Sequence, residues 1–275
     1  VIGIEKGYAG REQGVGGNRR DPKGIADPDV WTIGVKDDTG TLRGVMLKYT
    51  LHPTFLHYDN FLVSADYPGY VRKYINQVAP EAVFLFAQGT SGNQSPRYFR
   101  SGKTFEEAER VGTEIGKEVE RVLNTMEYFS DFPLSVESKE IEIDIRKLPD
   151  RQSAEAEVEK YKKAWEKLKD SGAPERDVWN AELLYFGAED TLSLLMLKEQ
   201  GNLTLLEENT PMEVQLLSIG DTKIIGLPGE IFVEYGITIQ YRSPNEKTFV
   251  IELANGMLPG YAATAQAYAQ GGYET

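Results

Sequence analysis

Short apolar runs with strand character alternate along this 275-residue chain with segments of helical periodicity. That alternation admits little besides a sheet with helices packed on it. "VWTIGVKD" (30–37), "RGVMLKYTL" (43–51), "LSVESKEIEIDI" (134–145) and "TFVIELA" (248–254) read as strands. "AVFLFAQ" (82–88) is a continuous apolar run, which suits a strand buried on both faces. "MEVQLLSIGDTKIIGLPGE" reads as a hairpin turning at Gly220-Asp221. Helices are expected within 65–78, started near Pro68, over 104–126, and from "EIFVEYGITIQYR". Thr104 and Glu107 have the spacing of a capping box. Residues 1–29, rich in glycine and holding two Asp-Pro pairs, read as loop. Between 146 and 209 the texture changes to two helices broken at 171–174, a helical hairpin inserted between strands. The expectation is an α/β fold with a mixed β-sheet core, flanking helices and this insertion, in a single domain over 1–275.

Composition excludes several function classes. A formal net charge of −13 argues against a nucleic-acid partner, because phosphate neutralisation needs clustered Lys and Arg. The absence of cysteine removes thiol chemistry, Cys-ligated zinc and disulfides, and leaves the compartment open. No apolar run reaches the roughly 18 residues of a transmembrane segment. Oligomeric state is not legible. There is no H-E-x-x-H or G-x-S-x-G; "SGKT" (101–104) lacks the first glycine of a P-loop, which would fall on Arg97. Asn93-Gln94-Ser95 is followed by proline and is a poor glycosylation acceptor, whereas Asn202-Leu203-Thr204 is a plain match.

Both histidines, His52 and His57, lie in "TLHPTFLHYDNFLVSADYPG" (50–69). His52 ends a predicted strand and is fixed by Pro53. Ser95 follows another strand, Glu230 follows Pro-Gly at an expected helix start, and Tyr261 and Tyr273 lie in a terminal loop. Loops beyond strand ends are where α/β proteins gather ligand sites. Each residue also has an ordinary reading: a satisfied structural histidine, a Ser-Pro turn, a glutamate complementing a helix dipole.

Taken in order, "GNRR", "LHPT" with "SADYPG", "FAQGTSGNQSP", "LPGE" and "GYAATAQAYAQGGYET" resemble the catalytic domain of the neutral/alkaline ceramidases. The matches run from Asn18 to Thr275, and 146–209 carries none. That resemblance implies a zinc ion bound by two His, one Glu and one Tyr, activating a water that attacks an amide carbonyl. Residue by residue, it implies His52, Glu230 and Tyr261 as metal ligands. It implies Ser95, Arg19 and Tyr273 as catalytic groups near the substrate amide. The family's first zinc histidine precedes the "NR" motif, and 1–17 contain no His. A further histidine is therefore expected upstream of Val1, the alternative being an altered site. His57 has no counterpart and reads as a loop histidine.

The implied partner is a small-molecule N-acyl amide or lipid. Phe55, Tyr58, Phe61 and Tyr98 flank the motifs and either line an apolar groove or pack the core. Ceramide-cleaving members commonly carry a further β-sandwich domain after this point, so another amide or ester substrate stays open, as does a non-catalytic binding relative.

Overall fold

The computed structural model describes residues 1–56, 60–143, 147–202, 211–256, 258 and 260–274. His57, Tyr58 and the Leu203-Thr204 part of the second sequon lie outside the described residues. The chain divides into two units, Val1–Lys139 with Glu213–Met257, and Glu140–Met212 with Leu258–Thr275.

In the first unit, the opening segment departs from the loop expected for 1–29: it begins with strand β1 (Ile2–Tyr8). Its glycines face a helix end rather than making turns. A Cβ on Gly3 would sit 2.5 Å from Met126 Sδ and 2.9 Å from the Glu127 carbonyl oxygen. Ile2 and Ile4 bury on the opposite face. A short 3-10 turn (Arg11–Gln13) and the two-residue strand β2 (Gly17–Asn18) follow.

Strands β3 (Asp29–Lys36) and β4 (Leu42–Tyr49) obey the period-two rule. Val30, Val45, Leu47 and Tyr49 join one core; Trp31, Ile33 and Met46 join another. Helix α1 (Asp66–Val78) carries the chain to β5 (Val83–Gln88), which pairs parallel to β4. The two-residue strand β6 (Gln94–Ser95) pairs with β2. Helix α2 (Phe105–Thr125) is capped as its sequence predicts, with Thr104 Oγ1 accepting from Glu107 N at 3.3 Å. Strand β7 (Tyr128–Phe129) completes a five-stranded sheet ordered β5-β4-β3-β1-β7. Strand β5 lies at the sheet edge, and only one of its faces is covered. Phe84 and Phe86 pack on the helix-side core, while Val83 and Leu85 are exposed. The expectation of burial on both faces is corrected accordingly.

Strand β8 (Leu134–Ile141) leads out of this unit to helices α3 (Arg151–Asp170) and α4 (Glu175–Glu199). The chain returns through β9 (Met212–Ile219), β10 (Thr222–Gly226), β11 (Glu230–Ile231), α5 (Val233–Arg242) and β12 (Thr248–Ile251). The second sheet is ordered β12-β10-β9-β8, with β10 antiparallel to β9 and parallel to β12. Two cores hold the unit together. Helices α1 and α2 bury Tyr67, Val71, Ile75, Val111, Ile115 and Val119 on one face of the first sheet. On its other face the second sheet packs through Ile224 and Phe249, with the Trp31 and Phe249 rings stacked at 5.2 Å.

In the second unit, α3 and α4 form the expected helical hairpin. Asp150 caps α3 by accepting from Ser153 N at 2.9 Å. Gly172, at φ 68°, takes the left-handed turn between the helices. Trp165 stacks on Tyr185 at 5.5 Å and an Arg151–Glu199 pair joins the far ends. The unit also holds β13 (Tyr261–Ala262) and the short helix α6 (Ala265–Gln270), capped by Thr264. The structure thus has the expected α/β class, with mixed sheets, flanking helices and a helical hairpin.

Candidate active site

Two parallel strand pairs, one in each sheet of the first unit, end at the same place. His52 follows β4, Ser91 follows β5, Glu230 follows β10 and Glu252 follows β12. Backbone bonds stitch these exits together. Glu252 N donates to the Gln88 carbonyl at 2.9 Å, Gly92 N to that of Ile231 at 2.8 Å, and His52 N to that of Gln94 at 3.2 Å. Gly92 is needed there because a Cβ would lie 2.8 Å from both the carbonyl carbon and oxygen of Ile231.

The motif residues around the histidine serve this placement. Leu51, just before it, has its carbonyl held by Tyr67 Oη at 2.8 Å and Gln88 Nε2 at 3.0 Å. Asp66 of "SADYPG" accepts from Leu56 N at 3.0 Å, tying the loop after His52 to the start of α1. Phe55 is fully buried in the helix-side core, so it packs the fold rather than lining a groove. Phe61 is 93% exposed.

His52 and Glu230 meet, with Nε2 3.0 Å from Oε2. Both atoms accept when the imidazole lacks a proton there, so a proton on Nε2 or a cation between them satisfies the pair. On the other side of the ring, Nδ1 lies 2.7 Å from Ser91 Oγ. Ser91 Oγ also receives Gln88 Nε2 at 2.7 Å and donates to Glu252 Oε1 at 2.6 Å. Glu252 Oε2 accepts Ile231 N at 2.7 Å. Burial pushes the Glu252 carboxyl up to about 8, aided by the charge of Glu230 and opposed by its hydrogen bonds from Ser91 and Ile231. Ser91 and Glu252 are site residues that the sequence reading missed. Ser91 lay in the flagged "GTSGNQSP" loop, and Glu252 is an acid ending an otherwise apolar strand.

Ser95 and Arg19 come together on the β2–β6 ladder, where Gly17 pairs with Ser95 and Arg19 N donates to the Asn93 carbonyl at 2.9 Å. Both are buried. Arg19 Nη2 donates to the Gly92 carbonyl at 2.5 Å, and Ser95 Oγ accepts Arg97 N at 3.2 Å. Glu230 lies in β11 rather than at a helix start. Helix α5 begins three residues later, and Asn93 Oδ1 receives its first N–H, that of Val233, at 3.0 Å. The dipole reading of Glu230 is therefore replaced by its contact with His52. In the second unit Tyr261 and Tyr273 also meet, edge to face with ring centroids 5.8 Å apart. Helix α4 passes closely behind the second tyrosine, since a Cβ on Gly187 would lie 3.2 Å from Tyr273 Cα.

No protein-family model matches the chain, and no curated protein matches it. Solved structures do. One described as ceramidase complexed with C2 matches with a TM-score of 0.63 at 18% identity, over 99% of this chain and 49% of that one. Neutral ceramidase from Pseudomonas aeruginosa matches with the same score and identity, over 99% of this chain and 48% of that one. The chain spans about half the length of these structures. Over almost all of its own length it has the fold of neutral ceramidase, the family that its five motifs resemble.

Proposed function

We propose that this chain is a zinc-dependent amidohydrolase that cleaves an N-acyl, ceramide-like amide. In this reading His52, Glu230 and Tyr261 bind the metal, while Ser95, Arg19 and Tyr273 serve the scissile carbonyl. Residues 1–275 act as one catalytic domain, with 146–209 as an insertion. The observation that carries the reading is the His52–Glu230 contact at 3.0 Å. Two ligands on a tetrahedral zinc at about 2.0–2.1 Å lie roughly 3.3 Å from each other, so this spacing suits a shared ion. Among the described residues no group of three or more His, Cys, Asp or Glu could hold a metal. The reading therefore relies on a tyrosine oxygen as a further ligand.

Bound zinc supplies a water whose pKa falls to about 7 and a Lewis acid for the carbonyl oxygen. The chain's own part is positioning and charge. His52 offers Nε2 because Nδ1 is engaged by Ser91. Arg19, buried and anchored on the Gly92 carbonyl, is a fixed cation suited to a developing oxyanion. The hydroxyls of Ser95 and Tyr273 are the neutral donors; losing one such donor typically costs about 10²–10³ in rate.

The test is metal content by mass spectrometry beside hydrolysis of an N-acyl amide. Wild type should carry about one zinc. His52→Ala and Glu230→Gln should lose both metal and turnover, and His57→Ala should keep both. A zinc-free protein with full turnover overturns the mechanism. A zinc-free and inactive fold supports a binding relative instead.

A further inference from the structure

Ser91 and Glu252 are both almost completely buried, yet neither belongs to the proposed metal or substrate set. A serine hydroxyl has one proton to give and two lone pairs to offer. At Ser91 the amide N–H of Gln88 takes one lone pair and Glu252 Oε1 takes the proton. One lone pair remains, and His52 Nδ1 at 2.7 Å is the group facing it. With the Glu252 carboxyl ionised and taking the Ser91 proton, the inventory closes when Nδ1 carries a hydrogen and donates it. Glu252 is itself fixed from behind by Ile231 N at 2.7 Å, next to the Glu230 ligand.

We propose that Ser91 and Glu252 form a positioning relay, Glu252–Ser91–His52, that holds the proton on Nδ1 and so presents the Nε2 lone pair to the metal. This rests on the zinc reading above. Metal-binding histidines commonly donate their second N–H directly to a carboxylate or carbonyl. Here a hydroxyl is interposed, and the carboxylate that orders it comes from the other sheet. Because Glu252 Oε2 accepts the N–H of Ile231, the relay also ties the histidine to the backbone next to Glu230.

The test uses the full chain and zinc alone as the probe. Ser91→Ala and Glu252→Gln should each weaken zinc binding about 10–100-fold by titration calorimetry. The double variant should lose no more than the worse single one, because both act through one hydrogen-bonded path. Ser91→Thr, which keeps the hydroxyl, should recover most of the affinity. Zinc affinity within about twofold of wild type in both single variants, or losses that simply add, would overturn the relay. A second readout does not need metal. Imidazole nitrogen NMR of the zinc-free protein above about pH 8, where Glu252 is ionised, should show a slowly exchanging Nδ1 proton on His52, lost in Ser91→Ala. If wild type binds no zinc, the zinc reading fails while this signal still decides the relay. Absence of the Nδ1 proton in wild type overturns it.

Discussion

Lys48 and Asp27 show what a single buried charge demands. They pair at 2.5 Å with side chains 1% and 4% exposed, and Thr50 Oγ1 adds a bond to the same carboxylate oxygen at 2.9 Å. Burial pushes the Asp27 carboxyl up, but Lys48 and the surrounding donors outweigh it and hold the group below its ordinary value. Lys48→Met leaves that carboxylate unpaired and should cost about 3–5 kcal/mol in denaturant unfolding. Adding Asp27→Asn should restore part of the loss. Glu252 behaves in the opposite sense. Its folded pKa of about 8 exceeds the ordinary 4.5, so the folded state holds a proton that the unfolded chain releases between those values. Its contribution to stability is fully present below about pH 4.5 and is lost as pH rises through about 8. In chelator-treated protein the melting temperature should therefore fall from pH 5 to pH 9, and Glu252→Gln should flatten that slope.

Elements with a clean period were legible from residues alone. The capping pair Thr104–Glu107 marks the start of α2, and the alternation of 30–36 sorts Val30 from Trp31 onto opposite cores. Strand β1 was hidden because its glycines answer to a helix end more than 100 residues away, which no local window contains. The relay was hidden for the same reason: Ser91 and Glu252 are 161 positions apart. His52 and Glu230 stood out by their positions, but their role as ligands was reached only through a family resemblance, and their contact is a property of two sheets ending together. The loop after β5 is what joins those ends. Gly92→Ala should push that loop against the Ile231 backbone, costing about 1–3 kcal/mol of stability. It should weaken zinc binding as well, whereas Thr104→Ala should cost about 1 kcal/mol and leave zinc binding intact.

For the molecule as a whole, charge bears on substrate. A net charge of −13 opposes approach to an anionic lipid surface, and no helix among the described residues is long and apolar enough to cross a membrane. Short-chain N-acyl amides should accordingly be cleaved at least as readily as long-chain ceramide in detergent micelles. A strong long-chain preference in matched assays would show that contacts with the acyl chain override the charge. The path of the chain carries one more consequence. Strands β8 and β9 are neighbours in their sheet, and Ser138 near the end of one is bonded to Glu213 near the start of the other. Everything between them therefore departs and comes back at almost the same spot. A segment rooted in this way is a graft on a continuous stem, open to trimming or replacement without rewiring the strands beside it. Replacing 143–210 with a short glycine-rich turn should leave the sheets folded by circular dichroism and the Nδ1 proton signal of His52 in place.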